Sequence, residues 1–310
     1  MIFTLKIPMF GPLKYTNSYL IKEDNGESLL IDTGFPTQEN ITIFNTYLKQ
    51  YGSPDIVAVT HYHLDHLGLV KLFKDKRIII SKEELEFIND ITGDNFENEI
   101  KGYLYENGFS EEYVQLLLRS RNRIREAIKG VEFDTVNDDD IIKLGQNQIK
   151  VILTPGHTLG HMCLLYINGQ IFCGDHILQD ITPNVYLLRL KDNPLENYFE
   201  SLEKVKKLNV KKIYPGHKDP IVDINKRVEE IKKHHEERLN EIINVVKTKG
   251  EANGFEIATS ISWYKKWEEL SDIDKQLAMG ETLAHIKYLV EKGVLREIKK
   301  GSMIYYKLYT

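Results

Sequence analysis

Apolar positions along this chain fall into short runs that end at turn residues, and most of the runs are too brief to be helices. Ser18-Tyr19-Leu20-Ile21 and Ser28-Leu29-Leu30-Ile31 flank the polar loop Lys22-Glu23-Asp24-Asn25-Gly26, which reads as a hairpin. Between residues 37 and 51, Ile41, Phe44, Tyr47 and Leu48 recur at helical spacing, and Ile56-Val57-Ala58-Val59 follows as a buried strand. Residues 67–73 are expected to continue as a helix and residues 77–81 as another buried strand. The texture changes at 82: the chain to about 130 is charged and helical, with Ser110 placed to cap a helix beginning at Glu111-Glu112. Strands return from 141 to 180, where Asn168-Gly169 signals a hairpin between residues 162–167 and 170–173, and residues 212–214 form a last short strand. Beyond 223 the pattern is a long amphipathic helix over 225–249, a helix over 281–290 stopped at Gly293, and two strands joined by Lys299-Lys300-Gly301-Ser302.

Composition narrows the classes. With 310 residues the chain can bury one large domain with an appendage, or two domains, without staples. Its two cysteines, Cys163 and Cys173, lie inside apolar runs, so a disulfide framework is not the organising principle, and a reducing, cytoplasmic setting is expected. No signal-peptide pattern opens the chain, and no run of about 18 apolar residues could span a bilayer. A net charge of -5 leaves no general basic excess for nucleic acid or anionic membrane.

The chemistry gathers at strand ends. Thr60-His61-Tyr62-His63-Leu64-Asp65-His66 places three of the ten histidines and one aspartate directly after the strand at 56–59. In extended chain His61 and His63 point to one side. Two imidazoles suit one metal ion, and a carboxylate with an imidazole suits a second about 3.5–4 Å away. Three later strands end in the same manner: Thr154-Pro155-Gly156-His157, Gly174-Asp175-His176 and Pro215-Gly216-His217. Histidines that merely fill a core have no reason to follow glycine at successive strand ends. Asp32, before Thr33-Gly34, could orient a metal-bound histidine or simply mark a turn.

The pattern His-x-His-x-Asp-His followed by His, Asp and His resembles that of the metallo-β-lactamase fold superfamily, and every position is matched. The resemblance implies an α+β fold: a four-layered αββα sandwich over residues 1–222, with a helical insertion at about 82–140. Residues 223–310 are similar to the winged-helix appendage of lactamase-like proteins. It implies two divalent metal ions, zinc first and iron or manganese as alternatives. His61, His63 and His157 would hold one ion, Asp65, His66 and His217 the other, and Asp175 would bridge them.

β-Lactamases of the family lack a ligand at the position of His66 and often have cysteine where Asp175 stands, so antibiotic hydrolysis is not expected. The implied activity is hydrolysis of a small or medium ester, thioester or lactone through a metal-bound hydroxide, with Asp65 receiving a proton and His176 donating one to the leaving group or bonding the substrate. Phe96, Tyr103, Tyr105 and Phe109 of the insertion suggest an organic tail on that substrate.

The alternatives are a ribonuclease or phosphodiesterase holding phosphates with Arg119, Arg121, Arg123 and Arg125 or with Lys299-Lys300, and a metal-responsive regulator binding DNA through the tail. From residue 225 onward, 16 Lys and Arg face 14 Asp and Glu. So small a surplus favours a packing, homodimer or substrate-covering role for the tail over DNA reading.

Overall fold

Strands whose alternate residues bury two different apolar surfaces can stack as sheets with helices outside them, and this chain folds that way. The computed structural model describes residues 1–11, 13–93 and 96–309. In chain order the first half comprises β1 (Ile2–Pro8), β2 (Tyr15–Lys22), β3 (Ser28–Ile31), α1 (Gln38–Tyr51), β4 (Ile56–Ala58), α2 (Leu64–Leu67), β5 (Arg77–Ser81), α3 (Lys82–Thr92), α4 (Phe96–Glu106), α5 (Glu111–Ile128) and β6 (Asp134–Val136). The second half comprises β7 (Ile141–Leu144), β8 (Asn147–Leu153), β9 (Met162–Leu165), β10 (Gln170–Gly174), α6 (Pro194–Lys206), β11 (Lys212–Pro215), α7 (Ile224–Lys249), α8 (Gly254–Ser260), α9 (Asp272–Glu291), β12 (Leu295–Lys300) and β13 (Met303–Leu308).

Among the described residues, the strands form a six-stranded sheet in the order β1-β2-β3-β4-β5-β6 and a five-stranded sheet in the order β11-β10-β9-β8-β7. Tyr19, Ile21, Leu29, Ile31, Ala58 and Ile79 face Val151, Met162, Leu164 and Phe172 in an inner core between the sheets. The alternate residues Leu20, Leu30, Val57 and Ile80, and Cys163, Ile171 and Ile213 on the other sheet, turn outward beneath the helices. The result is the four-layered αββα sandwich that the motif pattern implied.

Several local expectations need revision. Residues 67–73 do not run as one helix: α2 ends at Leu67 and a 3₁₀ turn spans Val70–Phe73. The cause is Thr33, whose Oγ1 takes the Leu69 N–H at 3.1 Å and removes it from the helical ladder. Ser110 stands at the start of α5, but its hydroxyl makes no capping bond. Helix α6, capped by Asn193 with Pro194 in its first turn, was not anticipated.

Beyond β11, α9 packs on α5, α6 and α7, and the β12–β13 hairpin closes against α7 and α4. Val228, Ile231, Leu283 and Tyr306 therefore belong to one continuous core with Val114, Leu195 and Tyr198. The insertion aromatics are used up in this packing rather than offered to a substrate: Phe109 meets Phe255 at 5.9 Å between ring centroids, and the Tyr103 hydroxyl lies 3.4 Å from that of Tyr306. No helix among the described residues is long and apolar enough to cross a membrane.

Candidate metal centre

The carboxyl ends of β3, β4, β8, β10 and β11 meet at one edge of the sandwich, and each delivers a polar side chain there. His61 Nε2 lies 3.1 Å from His63 Nδ1, which lies 3.0 Å from His157 Nε2. His217 Nε2 is 3.2 Å from Asp65 Oδ2 and 3.4 Å from His66 Nε2. Asp175 reaches both groups, with Oδ1 3.4 Å from His66 Nε2 and Oδ2 3.4 Å from His217 Nε2 and 3.8 Å from His157 Nε2. All seven residues read from the sequence as metal ligands thus come together.

The other nitrogen of four of the five imidazoles is committed elsewhere. Thr60 Oγ1 donates to Asp32 Oδ2 at 2.8 Å, so at 3.0 Å from His61 Nδ1 it must accept that ring's proton. His66 Nδ1 donates to Asp32 Oδ2 at 2.8 Å, His157 Nδ1 to the Asn184 carbonyl at 2.7 Å, and His217 Nδ1 to the Tyr15 carbonyl at 2.8 Å. With those protons placed, the Nε2 atoms of His61, His66, His157 and His217 all point inward, those of His61 and His157 as lone pairs. Facing lone pairs repel unless a cation lies between them, and nitrogens bound 2.0–2.1 Å from a tetrahedral ion stand about 3.3 Å apart. Asp175 Oδ1 is also buried without a hydrogen-bond partner among the described residues. The donor set fits divalent metal, with the groupings His61/His63/His157, His61/His66/Asp175 and Asp65/His66/His217.

Burial opposes charge on His66 and His217, but Asp175 and Asp65 outweigh it and hold His66 well above the usual histidine range and His217 at about 10, so these two rings carry positive charge that a bound metal would replace. Burial, reinforced by neighbouring imidazoles, holds His61 well below the usual histidine range, and burial holds His63 at about 3 and also depresses His157, so these rings are neutral ligands at pH 7. Burial opposes ionisation of Asp65 and Asp175, but the His66 and His217 rings outweigh it and keep both carboxylates ionised. Gly216 makes the close approach possible: a Cβ there would stand 2.4 Å from Asp175 Oδ1 and 2.6 Å from His66 Cε1.

Other expected residues fall elsewhere. His176 is wholly buried, packs edge-on against Tyr198 at 5.4 Å, and neither ring nitrogen makes a well-formed hydrogen bond among the described residues. Burial drops it to about 3, so the neighbour of Asp175 in sequence faces the core and cannot touch a substrate. Arg121 and Arg125 donate to the Thr92 carbonyl at the end of α3, while Lys299 and Lys300 pair with Glu106 and Glu251. Tyr186 packs on Gly280 of α9 and lines a small cleft with Tyr62, Phe87 and His157.

Three supporting residues carry little local signal. Buried Glu84 accepts from Tyr62 N, Thr158 Oγ1 and Gly160 N, tying the His61–His63 segment to the loop after β8. His161 accepts the Asp175 N–H at 3.3 Å while its Nδ1 bonds Thr154 Oγ1. Glu281, far along the chain, accepts from the Asn184 side chain at 2.9 Å.

A family model described as Metallo-beta-lactamase superfamily matches residues 11–217. Beta-lactamase-like protein 2 homolog of Caenorhabditis elegans is 28% identical over 292 residues, covering 92% of this chain and 82% of that protein. Atrochrysone carboxyl ACP thioesterase of Aspergillus fumigatus is 25% identical over 255 residues, 78% of this chain and 65% of that one. The crystal structure of a metallo-beta-lactamase family protein from Thermus thermophilus superposes with a TM-score of 0.82 at 27% identity, covering 99% of this chain and 98% of that chain.

Proposed function

The chain belongs to the metallo-beta-lactamase superfamily and is a metal-dependent hydrolase, and from that premise we propose a two-metal enzyme acting on a small or medium ester, thioester or lactone. The observation that carries the reading is the inward convergence of imidazole Nε2 atoms, beside Asp65 and Asp175, whose opposite nitrogens are committed to Asp32, Thr60, Asn184 and Tyr15. His61, His63 and His157 would hold one ion, Asp65, His66 and His217 the second, and Asp175, within reach of both sets, would bridge. The nitrogen and carboxylate donors suit zinc first, then iron or manganese. When bound, the ions would supply water ionised near neutral pH and a Lewis acid for the substrate carbonyl.

The chain's own residues would do the rest. Asp65, with 17% of its side chain exposed against 9% for Asp175, is the carboxylate best placed to take a proton from attacking water. His161 accepts the Asp175 backbone N–H, Gly216 leaves room for its carboxylate, and Asp32 and Thr60 fix two imidazole tautomers. The carbonyl preference rests on the relative named a thioesterase and on the engagement of Arg121, Arg125, Lys299 and Lys300 within the protein, which leaves few of the phosphate-holding cations a nuclease reading would use. We read residues 1–222 as the hydrolase unit and residues 223–310 as a winged-helix-like appendage. Its α7–α8–α9 and hairpin order supports that reading, and the bond from Glu281 to Asn184 argues that it buttresses the site. A cytoplasmic location is proposed from the cysteine usage, since Cys163 and Cys173 are both buried free thiols.

The test is turnover of a p-nitrophenyl ester, a thioester, a lactone, a phosphodiester and a short RNA by metal-loaded protein and by Asp65→Ala, with metal content measured on both. Two ions per chain in the wild type, and carbonyl turnover abolished by the substitution, are expected. Cleavage confined to RNA or the phosphodiester would overturn the proposal.

A further inference from the structure

The segment that carries His63 and Asp65 also lines, through Leu64, an open, mainly apolar groove of about 1020 Å³, at the upper end of the usual range for small-molecule sites. Its walls continue the loops that build the centre. Leu64, between His63 and Asp65, forms part of the floor. Phe35 and Pro36 extend the segment that begins with Asp32, and Met9 and Phe10 belong to the β1–β2 connection that ends at Tyr15, whose carbonyl holds His217. The far side is closed by Ala127 of α5 and Ile273 of α9, so the insertion and the tail both contribute.

Two large apolar side chains line this groove while facing water: Phe10 is 80% exposed and Ile273 65% exposed. Neither packs into a core, and exposure gives them no gain in stability. The charged Lys71 is already engaged with the Glu126 carbonyl. Asn122, Arg123 and Glu126 of α5 line the same groove, and the rest of its lining, from Met9 through Leu72 to Ile273, is largely apolar.

We propose that the groove is the acyl-chain subsite: it takes an extended aliphatic or flat apolar acyl group of an ester or thioester whose carbonyl lies at the metal centre. This deepens the hydrolase reading and rests on it for the position of the scissile bond. Burial of a chain along Leu64, Phe35 and Ile273 makes the enzyme selective for acyl length, whereas an acetyl ester meets only the metal centre and is indifferent to the groove.

The experiment measures kcat/KM for p-nitrophenyl esters from acetyl to dodecanoyl on wild type, Phe10→Ser and Ile273→Asp, both surface substitutions. A dansylated undecanoic acid serves as a binding probe that needs no turnover, and light scattering follows oligomeric state. In the wild type kcat/KM should rise about threefold to fourfold per added methylene until the groove is filled, the factor that corresponds to ~0.8 kcal/mol per buried CH₂. In Ile273→Asp the decanoyl-to-acetyl ratio of kcat/KM should fall at least tenfold from its wild-type value, and the probe should bind wild type and not the variant.

Ester turnover that ignores chain length, with no probe binding, would overturn the groove and leave the hydrolase reading standing. Probe binding lost in Ile273→Asp, without turnover of any ester, would sink the hydrolase reading and support the groove. A wild-type dimer converted to monomer by Ile273→Asp, with length selectivity unaltered, would make the groove a contact between two copies of the chain and overturn the proposal.

Discussion

Asn184 donates its side-chain amide to the carboxylate of Glu281 at 2.9 Å, although 97 residues separate them. The Asn184 backbone carbonyl in turn accepts the Nδ1 proton of His157 at 2.7 Å. The tail helix thereby fixes the tautomer and aim of a metal-site imidazole through one intermediate residue. Glu281→Ala should lower affinity for the first metal ion about tenfold, the scale of losses when a bond behind a ligating histidine is removed. Glu281→Gln keeps an acceptor for Asn184 and should retain most of that affinity. Chelator competition on the two variants checks the pair, and equal affinities in both would show that the contact only joins structural parts.

Asp32 has a second support role, since one carboxylate accepts from Thr60 N, Thr60 Oγ1 and His66 Nδ1. Asp32→Ala should weaken the second metal ion by about 10–100-fold and leave a buried Thr60 N–H unsatisfied, costing about 1–3 kcal/mol. Its positive φ of 59° adds strain for alanine that aspartate tolerates better. Metal titration with a thermal melt reads both effects, and wild-type values in both would return Asp32 to a simple turn residue.

What could be read from the chain follows from how far the relevant contacts reach. The ligands were legible because each stands at the end of an apolar run after a turn signal, so a local pattern reports where the strand delivers it. Asp32 was legible only as an alternative, because a carboxylate before Gly34 serves a turn or a histidine equally well. Glu281, Glu84 and His161 act across 97, 76 and 14 residues, and no local pattern encodes such partners. His176 misled because adjacency to Asp175 in sequence was taken for adjacency in the site, while successive residues at a strand end face opposite ways. The insertion aromatics misled likewise, since an apolar side chain looks the same whether it meets a substrate or α8.

Burial pushes the Glu84 carboxyl up to about 7 from its ordinary 4.5. The folded state therefore holds this proton more tightly than the unfolded state, and the group's contribution to stability falls as pH rises from about 4.5 to about 7. The penalty is absent below that window and complete above it, on the order of 3 kcal/mol. Glu84→Gln cannot ionise, so any loss from its poorer match to three donors is independent of pH. The melting-temperature advantage of wild type over Glu84→Gln should shrink steadily from pH 4.5 to 7, and a constant difference across that range would refute the assignment.

His176 offers a negative control inside the site's own sequence motif. Neither of its buried ring nitrogens makes a well-formed hydrogen bond among the described residues, so an apolar side chain of similar size gives up at most a weak contact with the Ser201 backbone. His176→Leu should leave turnover within about twofold of wild type and stability unchanged or raised by about 1 kcal/mol. A hundredfold loss of kcat with normal metal content would instead give His176 a place in the chemistry.

Gly280 lies inside α9, where alanine would ordinarily add about 1 kcal/mol of helix stability. A Cβ at that position would stand 2.1 Å from Cε2 of Tyr186, a contact that cannot be kept, so the tyrosine or the helix must move. Because Tyr186 lies two residues beyond Asn184, whose carbonyl holds His157, displacement there carries to the metal centre. Gly280→Ala should therefore destabilise the protein by about 1–3 kcal/mol and weaken metal binding. Tyr186→Ala alone opens space over the helix, and the double variant should recover most of the loss due to Gly280→Ala. A coupling energy above about 1 kcal/mol in that cycle would show the two residues acting through one contact, while strict additivity would separate the tail from the site.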